Sequence, residues 1–516
     1  MIKSYICANN FLFDAMVNKI FGVLVVFILL FSACKDEETP LSSTKQLVSF
    51  SLLESDNQGK ISGDVEAVIQ GDQVVLPFYR SNNLTSLIAT FVYEGKALTI
   101  NGVEQKSGVT ANDYSQPLII AVVAEDGSKV SYTVKIDLMN DDPDRVLGVP
   151  EFVITLNDPS ITEIPSKDDY LDATLTVKGK GVYEDYTGKT QIKGRGNSTW
   201  GYPKKPYRLK LDKKAEICGF GEAKNYVLLA NYIDPTLMLN SVTFKIGHLL
   251  ELPFTNHAIP VDVVLNGKYK GSYLLTEQIE VKKNRVDLDE DNSVMWELDS
   301  YFDEDPKFKS EIYNLPVMVK DPDLSAEQFD YWRKDFNAFM GQFAKEPLNT
   351  NTYVDMIDIE SVVKYLITFN LVHNMEINHP KSIFIHKEKG GKYVMGPLWD
   401  FDWAFDYEGT GVHFGRYNTP LFSNQVGEGI GTVFFQRFLQ DSRVRALYKE
   451  VWQDFKKNKL SQLLQYIDDY SEVLKPSAKK DSEIWEKTRS YDAKVRELKT
   501  WLKNRANYID QEVSQF

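Results

Sequence analysis

Short apolar runs, interrupted every few positions by polar residues, predict β-strands along the first part of the chain. Between residues 45 and 137 these runs are rich in β-branched and aromatic residues, as is typical of strands. Two of them flank Glu125-Asp126-Gly127-Ser128, and an Asp-Gly pair in that position is a strong hairpin signal. This pattern predicts an immunoglobulin-like β-sandwich over residues 45–140. It carries no recognisable catalytic constellation, so we interpret it as a spacer, with carbohydrate or protein binding as the alternative.

After the polar, proline-broken segment Asn140–Asp144 the pattern changes to mixed strands and helices. Asn266-Gly267 between two apolar runs predicts a hairpin, Asp234-Pro235 predicts a helix start, and residues 358–372 have the helical apolar period. The last part of the chain is helical in pattern. The sequence therefore predicts an α+β protein, in which an N-terminal β-sandwich precedes a domain over residues 150–516 that is helical from about residue 433.

The composition is that of a soluble globular protein and argues against nucleic acid as a partner. Of the 516 residues, 43% are hydrophobic and 26% are charged, which is ordinary. The net charge is −14, whereas binding to a phosphate backbone favours a basic surface. The three cysteines, Cys7, Cys34 and Cys218, show no metal-ligand spacing.

The N-terminus has the pattern of an export signal. Residues 17–33 contain a short basic start, an apolar core and small residues at Ser32-Ala33. This anatomy predicts a signal peptide over residues 1–33, with a retained membrane-anchor helix as the alternative.

The residues around the predicted cleavage site indicate a lipid anchor. Leu29–Cys34 resembles a bacterial lipobox, which implies that Cys34 is lipidated and attaches the chain to a membrane through a tether over residues 34–44. Lys35-Asp36-Glu37-Glu38 then resembles a surface-export signal. We therefore expect an outer-membrane lipoprotein that is exposed on the surface of a Gram-negative bacterium.

The carboxylate pair Asp400 and Asp402 is the strongest candidate for chemistry, because it follows an apolar run and is flanked by Trp399, Phe401 and Trp403. Buried carboxylates cost free energy unless a cation or hydrogen bonds compensate them. In an extended segment, residues two apart face the same way, so the two aspartates are placed to share a cation such as Mg²⁺. The alternative is that one aspartate caps a turn and the other is solvated.

Basic residues placed to bind an anion lie earlier in the chain. Gly194-Arg195-Gly196 predicts a tight turn whose backbone N–H groups can approach an anion. In the strand after it, Arg208 and Lys210 face the same way. Glu277, at the end of a predicted strand, is placed to pair with a cation of that strand, and the alternative is a surface carboxylate. No Gly-Lys-Ser/Thr follows the glycines, which excludes a Walker loop.

An acid-bearing loop precedes the aspartate pair. The predicted helix over residues 358–372 runs into a polar loop that contains Glu376. A strand from Ser382, a turn at Lys389-Gly390-Gly391 and a return strand then lead to Asp400. Helix, acid-bearing loop, hairpin and metal-type aspartate follow one another in the same order in the protein-kinase catalytic core. Glu376 is therefore the candidate acceptor of a hydroxyl proton.

With these motifs the chain resembles the spore-coat protein H (CotH) family of atypical, secreted protein kinases. The resemblance covers roughly residues 150–430 and rests on four stretches in family order: Gly194–Trp200, Lys204–Lys210, Gly271–Gln278 and Trp399–Asp402. It implies an atypical protein-kinase-like fold. It also implies transfer of the γ-phosphoryl group of ATP to Ser or Thr of exported proteins, with Mg²⁺ or Mn²⁺.

The resemblance implies roles for single residues. Asp400 matches the family's metal-binding aspartate, with Asp402 as its helper. Lys205, Arg208 and Lys210 are the candidate cations that would hold the phosphates. Glu277 would orient one of them.

The catalytic loop departs from the family pattern. The family usually shows Asn-x-Asp with an Asn several residues later, whereas this chain has Asn374-Met375-Glu376 and then Ser382. The carboxylate of Glu lies one methylene further out, and a displacement of about 1 Å can cost about a hundredfold in rate. The departure favours a second hypothesis, a catalytically impaired binding or scaffold lipoprotein in surface glycan or protein assembly. A third hypothesis is a carboxylate-dependent glycoside hydrolase, which predicts an open aromatic groove with two facing acids.

Overall fold

The computed structural model describes residues 40–57, 60–61, 65–79, 84–139, 146–407, 412–422 and 429–516. The signal peptide predicted at residues 1–33, the lipidation predicted at Cys34 and the boundary segment Asn140–Asp144 lie outside the described residues. Every helix in the described ranges is too short or too polar to cross a bilayer. The chain divides between Leu138 and Met139 into two compact units.

The first unit is built from short strands, as its alternating sequence predicts. The strands are β1 (Gln46–Leu52), β2 (Val65–Glu66), β3 (Val68–Gln70), β4 (Gln73–Tyr79), β5 (Leu87–Ile88), β6 (Thr90–Glu94), β7 (Ala97–Ile100), β8 (Val103–Glu104), β9 (Ala111–Asn112), β10 (Leu118–Val123) and β11 (Lys129–Met139).

These strands form three sheets around one apolar core. The orders are β2-β1-β6 in a three-stranded sheet, β3-β4-β11-β10-β7-β8 in a six-stranded sheet, and β5-β9 in a pair. β10 and β11 pair across the Glu125–Ser128 turn with Val123 opposite Lys129, so the predicted hairpin is confirmed. Leu76 and Ile120 are fully buried in the core.

The second unit begins with seven strands that close on themselves. They are β12 (Glu151–Leu156), β13 (Leu171–Lys178), β14 (Tyr186–Gly194), β15 (Tyr207–Glu216), β16 (Glu222–Leu229), β17 (Ala258–Leu265) and β18 (Lys268–Glu277). The order is β12-β13-β14-β15-β16-β18-β17, and parallel pairing of β12 with β17 closes the sheet.

Local sequence explains much of this closed sheet. In β15 the buried side chains of Tyr207, Leu209 and Leu211 alternate with the more exposed Arg208 and Lys210, as predicted. The alternate apolar positions fill the inside of the closed sheet, because successive side chains of a strand point to opposite faces.

The hairpin between β17 and β18 is also confirmed. Asn266 and Gly267 both have positive φ angles, of 48° and 76°, which is the backbone of a type I′ turn. Asparagine and glycine tolerate this region better than other residues, so the turn follows directly from the sequence.

A second sheet and a set of helices complete this unit. The strands are β19 (Ser293–Leu298), β20 (Lys307–Lys309), β21 (Pro316–Asp321), β22 (Ile383–Glu388) and β23 (Val394–Met395), in the order β20-β21-β19-β22-β23. The helices are α1 (Leu239–Leu249), α2 (Ala326–Phe343), α3 (Ile359–Val372), α4 (Ile430–Phe438), α5 (Ser442–Asp454), α6 (Leu460–Trp485) and α7 (Tyr491–Val513). The C-terminal part is therefore helical, as predicted.

Capping residues explain where two helices begin. Ser325 accepts from the backbone N–H of Gln328 in a capping box at the start of α2, and Asp358 caps the predicted helix α3. The helix predicted to start at Asp234-Pro235 begins only at Leu239. Asp234 accepts from the backbone N–H of Leu239 at 2.8 Å and fixes the turn before the helix, so this boundary prediction is wrong.

Candidate active site

A cleft of about 420 Å³ in the second unit contains several of the side chains singled out by the sequence. Its walls are formed by the connection between β14 and β15, by β19 and β21, and by the loops after α3 and β23. Glu376, Asp400, Asp402 and Arg208 all line it. Three carboxyl groups from one part of the sequence thus share a cavity with a guanidinium from a strand much earlier in the chain.

Asn240, near the start of α1, holds the aspartate loop. Its Nδ2 donates to Oδ1 of Asp402 at 2.7 Å, and its Oδ1 accepts from the backbone N–H of Phe401 at 2.9 Å. Asp400 has a φ of 64°, a left-handed conformation that Asp and Asn tolerate better than other residues with a side chain. Helix α1 therefore holds the side chain of Asp402 and the backbone at Phe401, and the left-handed backbone at Asp400 sets the turn between them.

Asn374 ties the loop that carries Glu376 to the same turn. Its Oδ1 accepts from the backbone N–H of Glu376 at 2.9 Å, and its Nδ2 donates to the backbone oxygen of Asp400 at 3.3 Å. Ser382, the second departure from the family pattern, lines the same cleft, and its backbone N–H donates to Asp299 Oδ2 at 3.1 Å. The predicted sequence of helix, acid-bearing loop, hairpin and aspartate is thus observed.

Burial and mutual repulsion act on the three carboxyl groups. Burial raises the pKa of Glu376 to about 9, and the carboxylate of Asp400 adds to the rise. Burial and Asp400 also raise the pKa of Asp402. Burial raises the pKa of Asp400 itself, against the attraction of Arg195. Acids held this close stay ionised together only when positive charge is supplied.

The donor set fits a hard divalent cation. Mg²⁺ is usually held by one or two carboxylates and completes its coordination with phosphate and water oxygens. Asp400 and Asp402 offer two carboxylates in one cleft. In the described ranges no group of three or more His, Cys, Asp or Glu side chains is already arranged as a metal site. Substrate and water oxygens would therefore have to complete the ligand set.

Two guanidinium groups line the same cleft. Nε of Arg208 is buried and has no hydrogen-bond partner among the described residues. Arg195 lies over the ring of Trp399, 5.1 Å from its centroid, and its side chain forms no ion pair with the described carboxylates. A buried donor without an acceptor costs free energy, so Arg208 retains the capacity to bind an anion.

Lys205 and Lys210, the other two predicted phosphate-binding cations, do not line this cleft. Nζ of Lys205 donates to the backbone oxygen of Trp200 at 2.5 Å and lies over the ring of that residue. Lys210 is exposed and lies 5.8 Å from the centroid of the Tyr170 ring. Of the three predicted cations, Arg208 is the one that shares a cavity with the acids.

Glu277 lines a neighbouring cavity of about 450 Å³. It accepts from the backbone N–H of His257 at 2.7 Å, and its Oε1 lies 3.0 Å from His257 Nδ1. Nη1 of Arg285 lies 3.4 Å from the same oxygen. Its partners are therefore His257 and Arg285 rather than a cation of β15.

Nothing in the sequence pattern indicates the ion pair that forms another wall of the cleft. Nζ of Lys320 on β21 donates to Oε2 of Glu297 on β19 at 2.7 Å. These two strands are neighbours in the second sheet, and pairing between strands brings the two residues together. The carboxylate of Glu297 also raises the pKa of Asp400, so it adds to the negative charge of the cleft.

Lys381 supplies positive charge next to Glu376. Its Nζ lies 5.1 Å from the ring centroid of Tyr301 and 5.8 Å from that of Trp403. Its charge lowers the pKa of Glu376, against the larger effect of burial. Lys381 belongs to the polar loop that the sequence marks as functional, whereas no local signal points to Asn240.

Replacing Glu376 by glutamine is expected to change how stability depends on pH. Folding raises the pKa of this carboxyl from 4.5 to about 9. Between these values the folded chain retains a proton that the unfolded chain has released, so the free energy of unfolding falls as the pH rises. Glutamine does not ionise. Without metal, the Tm of Glu376→Gln should match the wild type at pH 5 and exceed it by roughly 4–8 °C at pH 8.

Thermal unfolding in a chelator measures this difference. Glu304→Gln, a change of an exposed acid that lines the same cleft, is the control and should leave the pH profile unchanged. Parallel profiles for wild type and Glu376→Gln would show that Glu376 is ionised in the folded chain.

Comparisons with known proteins identify a family for most of the second unit. A sequence model of the family described as "CotH kinase protein" matches residues 192–509, more than half of the chain. No curated protein matches. A solved structure from Bacteroides thetaiotaomicron, whose title assigns it provisionally to the glycoside hydrolases, is 14% identical. The likeness covers 58% of this chain and 88% of that chain, with a TM-score of 0.15, which carries no argument about fold or function.

Proposed function

The chain belongs to the CotH kinase protein family, and on that premise we propose that it transfers the γ-phosphoryl group of ATP to Ser or Thr hydroxyl groups of exported proteins. The proposed reaction depends on Mg²⁺ or Mn²⁺, and the proposed fold is an atypical protein-kinase-like one. One observation carries the proposal: a single cleft combines the carboxylates of Asp400 and Asp402 with the guanidinium of Arg208. Carboxylates for a metal and a free cation for phosphates are what phosphoryl transfer requires.

Asp400 and Asp402 are the residues that would hold the metal, which would neutralise the charge of the phosphates. Arg208 would bind phosphate oxygens through its guanidinium, whose Nε–H has no acceptor in the part of the chain that the structure describes. Trp399 and Trp403 line the cleft and would limit the access of water to the reacting groups.

Glu376 would accept the proton of the substrate hydroxyl as its oxygen attacks the γ-phosphorus. A carboxyl with a pKa near 9 is protonated at neutral pH and cannot act as a base. Its pKa falls as positive charge is added to the cleft, because such charge favours the ionised form. The charge of Lys381 already acts in this direction.

The second candidate is a CotH-family binding or scaffold protein that has lost catalysis. The observation that favours it is the same raised pKa of Glu376, together with the extra methylene of Glu where the family usually has Asp. Binding of ATP without transfer would favour this candidate. A glycoside hydrolase fits less well, because the cleft that contains the paired acids is also lined by Arg195, Arg208 and Lys381.

We also propose that the mature chain is anchored through a lipid on Cys34 and displayed on the outer membrane, with the first unit as an immunoglobulin-like spacer. The support is the lipobox-like Leu29–Cys34 and the acidic residues after it. Exported proteins would then be the accessible substrates.

Arg208→Met is expected to weaken binding of ATP in the presence of Mg²⁺ by about tenfold or more, because it removes charge-assisted hydrogen bonds to phosphate. Lys210→Met is the matched control. It removes a cation two residues along the same strand that is exposed and outside the cleft, and its affinity should stay within about twofold of the wild type.

The measurement is titration calorimetry of the full chain, followed by transfer from γ-labelled ATP to the chain itself and to a mixture of exported proteins. The absence of metal-dependent nucleotide binding in the wild type would rule out the kinase proposal. Equal losses in the two variants would rule out a specific role for Arg208.

A further inference from the structure

Arg195 lines the same cleft as Asp400 and Arg208, and the proposed mechanism does not use it. It lies in the turn between β14 and β15, and its backbone N–H donates to the backbone oxygen of Pro206 at 3.2 Å. Its guanidinium stacks on Trp399, the residue directly before Asp400, at 5.1 Å from the ring centroid. The backbone of Arg195 is thus held by a hydrogen bond, whereas its guanidinium is held, among the described residues, only by its contact with the Trp399 ring.

The charges around Arg195 are of both signs. Asp400, Asp402 and Glu297 attract its guanidinium, and Arg208 on the same wall repels it. Of the groups that act on Asp400, Arg195 provides the largest attraction. Yet no carboxylate of the described residues forms an ion pair with Arg195 within 4.0 Å. The guanidinium therefore balances the acids from a distance and is not locked to either of them.

We propose that Arg195 is an exchangeable counter-ion of the cleft, which balances Asp400 and Asp402 until ATP binds and then turns to the phosphates, leaving both carboxylates to the divalent cation. The inference rests on the proposed function, because it names how the metal and nucleotide sites are coupled. Metal alone then binds weakly, since Arg195 already supplies positive charge. Nucleotide promotes metal binding because its phosphates draw Arg195 away.

The chemistry of arginine suits such an exchange. A guanidinium offers a planar fork of N–H groups that matches the oxygens of a phosphate in pairs, and it is less strongly hydrated than an ammonium group. Stacking on Trp399 holds the guanidinium in position without occupying any of these N–H groups. Repulsion between Arg195 and Arg208 is relieved when an anion lies between them.

A purely structural role for Arg195 makes different predictions. If its stacking only braced the aspartate loop, removing it would loosen that loop and weaken metal binding. If it is a counter-ion, removing it leaves the acids under-compensated and strengthens binding of metal alone. The sign of the change in metal affinity therefore separates the two roles.

The test is titration of the full chain with Mn²⁺ alone, followed by the electron paramagnetic resonance signal of free Mn²⁺, and with ATP alone in a chelator. Arg195→Met should bind Mn²⁺ about tenfold more tightly than the wild type and ATP about tenfold more weakly, as expected for loss of one partly screened charge. Arg195→Lys keeps the charge and should keep a Mn²⁺ affinity near that of the wild type. Lys193→Met removes another cation that lines the cleft and should change the Mn²⁺ affinity by less than about twofold.

The outcomes for the inference and for the proposed function are distinct. If the wild type binds ATP with Mn²⁺ but Arg195→Met binds Mn²⁺ alone no more tightly, the counter-ion inference is wrong and the kinase proposal stands. If no variant binds ATP, the kinase proposal and the phosphate half of the exchange are both wrong, whatever the Mn²⁺ result. Melting curves identify a variant that fails to fold, and Arg195→Lys then decides through its ATP affinity, which should fall less than threefold.

Discussion

Replacing Asp400 by asparagine is expected to lower the rate of phosphoryl transfer on the order of a hundredfold to a thousandfold, because it removes a charge from the group that would hold the metal. Asparagine is the informative replacement. Asp400 has a φ of 64°, and Asn tolerates this region about as well as Asp, so the turn should be preserved. Alanine would add backbone strain to the loss of charge. The measurement is transfer from γ-labelled ATP at saturating Mg²⁺, together with calorimetric titration of ATP with Mg²⁺.

The matched control is Asp303→Asn, which removes an exposed carboxylate that lines the same cleft. Its transfer rate should stay within about threefold of the wild type, since exposed charges contribute little. If Asp400→Asn keeps the wild-type rate, Asp400 does not hold the catalytic metal. If both variants lose activity equally, the effect belongs to the overall negative charge of the cleft rather than to a metal site.

Elements set by local sequence could be predicted, whereas pairing between distant strands could not. The Asn266-Gly267 turn and the alternation in β15 follow from backbone preference and side-chain burial within a few residues. The sheet closes through parallel pairing of Ile154 with Leu265, which are far apart in sequence and show no mutual signal. The helix start predicted at Asp234-Pro235 is wrong for a local reason, because Asp234 accepts from the backbone N–H of Leu239 and fixes a turn that precedes α1.

The acids of the candidate site were easier to find than its cations. Asp400 and Asp402 lie in a short aromatic-flanked segment, and the order of elements before them pointed to Glu376. Among cations the sequence offers many candidates, and which of them reach the acids depends on the path of the connection between β14 and β15. That path brings Arg195 and Arg208 into the cleft and leaves Lys205 outside it.

The contacts by which Lys204 stabilises the fold could not be predicted from the sequence either. It adjoins the residues that the sequence marked as phosphate-binding, yet its side chain is 0% exposed and its Nζ lies 2.6 Å from Oδ1 of Asp481 on α6. It also donates to the backbone oxygen of Ser272 on β18 at 2.5 Å. Close approach of α6 to β18 requires the glycine at 271, because a Cβ there would lie 2.4 Å from Asp481 Oδ1. Lys204 thus joins a C-terminal helix to the closed sheet.

Lys204→Met is expected to destabilise the second unit by about 3–5 kcal/mol, because it leaves the carboxylate of Asp481 buried without its cation. Asp481 would still accept from the backbone N–H of Ser272 at 2.9 Å and from Oγ1 of Thr488 at 3.4 Å, but two neutral donors do not replace the cation that balances a buried charge. Urea unfolding followed by tryptophan fluorescence measures the loss, provided that the transition of the second unit is analysed separately.

The double variant Lys204→Met, Asp481→Leu distinguishes loss of charge balance from loss of packing. With both charges gone, apolar side chains of similar size should recover most of the stability, because replacing a buried ion pair is often neutral although breaking one is not. The coupling energy between the two changes should therefore reach roughly 2–3 kcal/mol in favour of the double variant. Lys205→Met is the control, because Lys205 is the next residue in the chain and is only partly buried. This change should lower the free energy of unfolding by less than about 1 kcal/mol. If the two single changes are additive, the ion pair does not hold α6 to the closed sheet, and the position of Lys204 follows from packing alone.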